Sequence, residues 1–205
     1  MDNGNELAYG QVVTECQAKK CWDEVMEEYK VEAAIKEVEL FNRQNRFYKK
    51  GLSLMPVCFG ISFTNTMMNQ ARALVHVYSD GTVGVSTGAV EMGQGVNSKM
   101  LQVAASCFGI SASMIKLEST NTTRVANTSP SAASSTADLN GKALLNACEQ
   151  IKERLFSFIK TELTNNEDEI IEIKDEVVYI NDEASIFNWK NLIQQAFMKR
   201  ILLNY

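Results

Sequence analysis

Two segments rich in small residues, each followed by a stretch with helical periodicity, constrain the fold of this chain most. They are residues 91–95 and residues 128–138. Glycine lets a backbone approach a ligand closely, and a helix N-terminus presents unpaired N–H groups and the positive end of a dipole. Because neither segment carries a nucleophile beside a base, the pair predicts a site that holds one large, anionic, hydrogen-bonding ligand. We expect the two loops to lie side by side, each at the start of a helix.

Apolar residues recur at helical spacing in four parts of the chain. The first is residues 14–45, where the pattern breaks near Lys30, and the last is residues 189–197. The other two helices are expected directly after the small-residue loops, over residues 96–107 and residues 137–158.

Turn signals divide the remaining apolar runs into short strands. Asp80-Gly81 predicts a tight hairpin, and Lys174-Asp175 predicts a second one. The expected strands cover residues 52–57, 61–63, 73–78, 82–86, 114–118, 170–173 and 177–180. Because antiparallel hairpins interrupt the helices irregularly, the predicted fold class is α+β.

The composition is that of a globular protein and excludes two classes of partner. The chain has 205 residues, of which 45% are hydrophobic, and we expect an N-terminal helical segment over residues 1–50 and an α+β domain over residues 51–205. A net charge of −5 argues against nucleic acid, and the absence of a long apolar run argues against a membrane. The five cysteines are scattered, which is typical of buried thiols in a reducing compartment and predicts a cytoplasmic location.

Both loops, and His76, also have purely structural interpretations. Gly93 and Gly95 could simply form a tight turn, although Gln94 between them would have amide donors and acceptors free for a ligand. Residues 129–136 could be an elaborate helix N-cap, or a cluster of hydroxyls that holds a phosphate. His76 lies within a predicted strand, where a structural role is favoured over that of a catalytic base.

Three segments resemble the molybdenum hydroxylases. Residues 86–104 are similar to the family's HGGTEMGQG-HTKM-QVA segment, and residues 121–141 are similar to its NTSPTAAS-SADLNG segment. Residues 59–64, followed by residues 69–71, resemble the xanthine dehydrogenases rather than the aldehyde oxidases. The resemblance implies that residues 51–205 form part of a molybdenum-cofactor-binding domain of the xanthine dehydrogenase type.

In this family, oxygen from water is inserted at a carbon of a purine such as xanthine or hypoxanthine. A molybdenum centre carried by molybdopterin accepts the electrons, and iron–sulfur clusters and FAD, expected here on other segments or chains, pass them onward. The resemblance implies cofactor contacts for Met92, Gly93, Gln94, Gly95, Ala133, Ser134 and Thr136. It implies purine contacts for Phe63, Thr64 and Ala132.

The implied roles differ from residue to residue. Gln94 would hydrogen-bond the cofactor, Ala133 would lie against the metal, and Ser134 would reach the pterin or its phosphate. Thr136 stands where the family usually has serine and keeps the hydroxyl. Phe63 would cover one face of the purine.

The family's general-base glutamate, in a Gly-Glu-Pro-Pro context, is expected beyond the part that this chain matches. We therefore expect no catalytic residue and no direct metal ligand in this chain, and no hydroxylase activity from the chain alone. Its expected partners are the remaining segments or subunits of the hydroxylase and a purine substrate. The alternative is a truncated, non-catalytic relic that acts only as a folded binding module. We expect Phe63, Met92 and Ala132-Ala133 to be less covered than core residues.

Overall fold

The computed structural model describes residues 2–7, 10–57, 60, 62–164 and 166–205. The chain divides into two compact units, residues 1–59 and residues 60–205, which we call the N-terminal and C-terminal units. The α-helices of the N-terminal unit, within its described residues, are α1 (Ala18–Glu28) and α2 (Val31–Gln44). Lys30 adopts a left-handed conformation, with φ of 46°, between them, which confirms the predicted break in the first helical stretch.

Helices and strands are mixed in the C-terminal unit, which confirms the predicted α+β class. Over its described residues, the α-helices are α3 (Val96–Phe108), α4 (Thr136–Phe158) and α5 (Trp189–Met198). Helix α4 continues into a π-helical turn over Ile159–Thr164. The strands are β1 (Ala73–Val77), β2 (Val83–Thr87), β3 (Ile115–Leu117), β4 (Ile171–Lys174), β5 (Val177–Ile180) and β6 (Glu183–Asn188). Of the helices in the described part of the chain, none combines the length and apolar character needed to cross a membrane.

The first sheet, in the order β1-β2-β3, determines where the two small-residue loops emerge. Strands β1 and β2 are antiparallel around the predicted turn at Asp80-Gly81, whereas β2 and β3 are parallel and α3 connects them. Parallel strands end at the same edge of a sheet. The chain that leaves β2 toward α3 and the chain that leaves β3 toward α4 therefore start from one edge.

The second sheet, in the order β4-β5-β6, is antiparallel and contains the second predicted hairpin. Strand β6 was not predicted from the sequence. Trp189, at the start of α5, is fully buried, and its indole Nε1 donates a hydrogen bond to the Gly81 carbonyl at 2.7 Å. Its ring lies 5.3 Å, centroid to centroid, from that of Phe108 at the end of α3. These contacts connect α5 to the first hairpin and to α3 in one core.

The strand predictions for residues 52–57 and 61–63 are wrong wherever the structure describes these residues. Residues 51–57 and 62–63 form no strand, and Met55 and Val57 are 77% and 68% exposed. An apolar run without strict alternation indicates only apolar character, and a strand also needs a partner for its backbone groups. Ile61 lies outside the described residues.

Candidate functional site

Both small-residue loops border one cavity of about 350 Å³. We call residues 88–95 the glycine loop and residues 128–135 the serine loop. The glycine loop leads from β2 into α3, and the serine loop leads into α4. The cavity is lined by Met92, Gln94, Val96, Lys99, Ser131, Ala132, Ala133, Ser134, Thr136, Ala137 and Asp138. This arrangement confirms the prediction that the loops lie side by side, each at the start of a helix.

The bases of the two loops are in close contact. A Cβ atom on Gly88 would lie 2.8 Å from both Oγ1 and Cγ2 of Thr128, closer than such atoms approach in proteins. The Val90 N–H donates a hydrogen bond to Oγ of Ser131 at 2.9 Å. A side chain at position 88 would therefore force Gly88 and Thr128 apart.

In the glycine loop, Glu91 places its carboxylate at the N-terminus of α3. Oε1 of Glu91 accepts hydrogen bonds from the N–H groups of Gly93 at 2.9 Å and Gly95 at 3.0 Å, and Oε2 accepts one from Asn97 at 3.0 Å. The positive φ angles of Gly93 and Gly95, 97° and 77°, let the loop curl around this carboxylate. Hydrogen bonds from Asn97 and then Gly95 hold the pKa of Glu91 below its usual value. A side-chain anion of the glycine loop thus occupies the N-terminus of α3.

The prediction that all donors and acceptors of the Gln94 amide are free for a ligand is wrong, because half of them are used within the loop. Its Nε2 donates to the Val90 carbonyl at 2.8 Å, and its Oε1 accepts from the Met92 N–H at 2.6 Å. The curled backbone brings the amide back onto its own loop, which residue type and spacing alone do not reveal. One amide hydrogen and one oxygen lone pair remain, because a primary amide has two donors and a carbonyl has two lone pairs. Gln94 therefore lines the cavity with half of its hydrogen-bonding capacity already used.

The five hydroxyl groups of residues 129–136 fall into two sets. Those of Ser129 and Ser131 accept hydrogen bonds from backbone N–H groups at 3.2 and 2.9 Å, and that of Ser135 donates to a backbone carbonyl at 2.7 Å. Those of Ser134 and Thr136 make no hydrogen bond with the described part of the chain, and both residues line the cavity. The first set maintains the loop, and the second set is available to a ligand.

The N-terminus of α4 also lacks internal acceptors. Ser135 occupies the N-cap position, but its side chain makes no capping hydrogen bond. Among the described residues, no group accepts a hydrogen bond from the backbone N–H of Thr136, Ala137 or Asp138. A purely structural N-cap would satisfy one of these donors. The N-terminus of α4 is consequently open toward the cavity.

The serine loop carries backbone strain beside these free donors. Ala133 and Ser134 are consecutive left-handed residues, with φ of 52° and 49°. Such a conformation costs a non-glycine residue about 1–3 kcal/mol and is found mainly where the surrounding structure enforces it, often at functional sites. Here it turns the chain into the first turn of α4.

The sequence did not reveal the roles of two charged residues, Lys99 and Glu91. Lys99, one turn into α3, lines the cavity. So does Asp138, which has the opposite charge and lies in the first turn of α4. Glu91 lies within the predicted loop, but its residue type and position did not reveal that its carboxylate binds the start of α3. An acidic residue in the loop that precedes a predicted helix, and a basic residue one turn into that helix, are the signals that would have found them.

Phe63 and Thr64 are not among the residues that line this cavity. Phe63 is half-buried, and its backbone N–H and carbonyl are both bound by the Asn69 side chain at 2.9 Å, whereas Thr64 is exposed. The same segment is tied to the serine loop, because Gln70 and Ser129 exchange hydrogen bonds of 3.2 and 3.0 Å. Two further positions of this motif lie outside the described residues: Phe59 and Ile61.

The apolar residues predicted to be less covered than a core are so. Met92 is 67% exposed, Ala132 and Ala133 are exposed, and Phe63 is half-buried. Apolar surface therefore lies beside the polar donors of the cavity, a combination typical of small-molecule sites.

The fold and the cavity together indicate the class of protein. An α+β domain in which two helices begin beside one open cavity has the architecture of a small-molecule-binding domain. Over residues 24–205 the chain matches the family described as molybdopterin cofactor-binding domain. The chain belongs to this family, which confirms the resemblance to molybdenum hydroxylases and the molybdopterin prediction at the level of the family.

Xanthine dehydrogenases are among its similar relatives. The protein of Dictyostelium discoideum is 48% identical over 148 residues, covering 72% of this chain and 11% of that protein. Xanthine dehydrogenase/oxidase of Gallus gallus is 43% identical over 169 residues, covering 82% of this chain and 12% of that protein. The chain thus spans about a tenth of the length of these relatives. It corresponds to part of the molybdenum-cofactor-binding region of xanthine dehydrogenase-type hydroxylases.

The fold is also that of a solved structure. Quinoline 2-oxidoreductase from Pseudomonas putida 86 superposes with a TM-score of 0.76 at 16% identity, covering 96% of this chain and 26% of that one. At this identity the likeness supports the α+β fold and nothing finer.

Proposed function

We propose that this chain supplies part of the cradle for a molybdenum–molybdopterin cofactor in a xanthine dehydrogenase-type hydroxylase. In this proposal, the serine loop and the start of α4 bind the pterin or its terminal phosphate, and the glycine loop forms the facing wall. The open N-terminus of α4 is the observation that carries the proposal, because its free N–H groups and two free hydroxyls converge on one cavity.

The donor set fits a phosphate better than a neutral ligand. Backbone N–H groups at a helix N-terminus, the hydroxyls of Ser134 and Thr136 and the ammonium of Lys99 all favour an anion with several oxygens. A cavity of about 350 Å³ is near the lower end of the range for small-molecule sites, about 300–1,000 Å³. This size is consistent with a partial cradle that other segments of the hydroxylase complete.

The remaining predicted contacts follow from the cavity wall. Gln94 offers its one free amide hydrogen and one free lone pair, and Met92 offers an apolar surface. Gly93 and Gly95 supply the curled backbone rather than direct contacts. Ala133, which has only a methyl group, leaves space for a bulky group beside it. When bound, the cofactor accepts the electrons of the hydroxylation, and iron–sulfur clusters and FAD on other segments pass them onward.

We also propose that a purine is the substrate, with Phe63, Thr64 and Ala132 near it. Ala132 lines the cavity, and the Phe63 segment is joined to the serine loop through Gln70 and Ser129. The thiols of Cys21, Cys107 and Cys148, which form no disulfide within the described residues, support the cytoplasmic location that we propose for the protein.

The test is a fluorescence titration of the purified chain with a hydroxymethylpterin phosphate. Ser134→Ala removes one free hydroxyl, and Ser106→Ala, an exposed serine of α3, is the matched control. We expect Ser134→Ala to raise the dissociation constant about tenfold, the usual effect of losing one hydrogen bond to a charged group, and Ser106→Ala to leave it unchanged. Equal affinities for wild type and Ser134→Ala, or no binding by the wild type, would contradict the proposal.

A further inference from the structure

We propose that Glu91 is the positioning residue of the glycine loop and fixes the face that Gln94 presents to the cavity. The inference about the shape of the loop stands on geometry alone, and its consequence for a ligand rests on the proposed function. Glu91 itself is not among the residues that line the cavity. It would therefore act through Gln94 rather than by touching a ligand.

Both oxygens of the Glu91 carboxylate are used to join the two ends of the loop. Oε1 bridges the N–H groups of Gly93 and Gly95, and Oε2 reaches that of Asn97 in the first turn of α3. No Lys or Arg in the described part of the chain forms an ion pair with this carboxylate. Its hydrogen-bonding partners are therefore backbone groups of its own loop and helix.

The hydrogen bonds of Gln94 depend on this curled backbone. The amide reaches the Val90 carbonyl and the Met92 N–H only because the chain turns back between them, with left-handed glycines on both sides of Gln94. Without the Glu91 carboxylate, three backbone donors lose their acceptor, and two flexible glycines lose the bonds that restrain them. The Gln94 amide then loses its fixed direction.

This arrangement gives the N-termini of α3 and α4 different roles. Because Glu91 already supplies the anion at α3, a ligand anion is directed to the open N-terminus of α4. The glycine loop is also formed before a ligand arrives, so that binding does not have to order it. Glu91 thus contributes to affinity through pre-organisation.

The first measurement is amide hydrogen exchange in the ligand-free chain, for wild type, Glu91→Ala and Glu91→Gln. We expect Glu91→Ala to speed exchange at Gly93, Gly95 and Asn97 about fivefold, as for the loss of a typical helix cap. Glu91→Gln keeps one oxygen acceptor, so the amides of Gly93 and Gly95 should stay protected while that of Asn97 does not. Glu172→Ala, an exposed acidic residue of β4, is the control, and the amides of Val75 and Val77 in β1 report that each variant is folded. Unchanged exchange at the three loop amides in folded Glu91→Ala would overturn the proposal.

The second measurement is a double-mutant cycle in the titration with hydroxymethylpterin phosphate. If Glu91 acts through Gln94, Glu91→Ala should weaken binding about fivefold in the wild-type background. It should have no effect when Gln94 is already alanine. Additive losses in Glu91→Ala/Gln94→Ala would overturn this part of the proposal, because a merely structural effect does not depend on Gln94. If the wild type fails to bind the pterin phosphate, the proposed function fails, and the exchange measurement still decides the role of Glu91.

Discussion

The two loops at this cavity are built on the same plan but differ in how they treat a helix N-terminus. In the glycine loop, Glu91 fills the N-terminus of α3 with its own carboxylate. In the serine loop, the cap residue Ser135 turns its hydroxyl away, and the N-terminus of α4 stays open. Small residues therefore serve two purposes here. Glycines allow one loop to fold back on itself, whereas the other loop leaves hydroxyl groups and helix N–H groups without hydrogen-bond partners among the described residues.

The difference also shows in backbone strain. The glycine loop places glycine at both of its left-handed positions, whereas the serine loop places Ala133 and Ser134 there. A loop evolved for stability alone would use glycine or asparagine at such positions. We infer that the glycine loop maintains the shape of the site and that the serine loop binds.

The largest expected effect comes from separating the loops. Gly88→Ala places a methyl group within 2.8 Å of Thr128, so the chain must shift, and we expect a loss of about 1–3 kcal/mol in the free energy of unfolding. Chemical denaturation measures this loss, and the pterin phosphate titration should show weaker binding in parallel. Adding Thr128→Gly removes the clashing side chain and should restore most of the stability. If Gly88→Ala alone is neutral, the close contact does not set the distance between the loops.

Acidification should open the glycine loop selectively. The pKa of Glu91 is lowered by the backbone hydrogen bonds, so its stabilising effect is fully present above the ordinary pKa of 4.5 and is lost as the pH falls through the lowered value. We expect the difference in amide exchange between wild type and Glu91→Ala to persist down to about that ordinary value and to disappear at lower pH. A difference that already vanishes near neutral pH would show that the ionised carboxylate is not the cap.

Ala133→Gly tests the strain in the serine loop. Glycine relieves the left-handed conformation but frees the unfolded chain, so we expect a net gain in stability of at most about 1 kcal/mol. Because the loop becomes less pre-organised, pterin phosphate binding should weaken even as the melting temperature rises. Weaker binding with lower stability would indicate simple damage to the loop.

The smallest expected effect concerns charge at the open helix start. Asp138→Asn removes an anion from the first turn of α4 and should tighten phosphate binding about two- to fivefold at low salt. The gain should shrink as salt is added, because the residue is exposed and its charge is screened. Tightening that is independent of salt would point to a change in loop structure instead.

Local patterns predicted much of the fold, and non-local geometry explains what they missed. The hairpin at Asp80-Gly81 and the helix after each loop depend on nearby residues, so periodicity and turn chemistry identify them. Strand β6 exists because β5 offers it an edge, and residues 51–57 lack such a partner in the described chain.

The same distinction holds at the site. The residue types of both loops predicted that they share one site, which the common cavity confirms, and the motif identified the family. The sequence did not reveal that Gln94 binds its own loop or that Glu91 caps α3, because both depend on the left-handed turns at Gly93 and Gly95. Hydrogen-bond direction is a property of the folded backbone, and residue spacing does not determine it.

The most direct measurement follows the backbone amides of both loops by NMR while hydroxymethylpterin phosphate is added to the chain. We expect the N–H signals of Thr136, Ala137 and Asp138 to shift in a saturable way, since these donors are open to the cavity. Those of Gly93, Gly95 and Asn97 should stay nearly constant, because Glu91 already binds them. Saturable shifts at the glycine loop without shifts at the start of α4 would contradict the division of roles between the two loops.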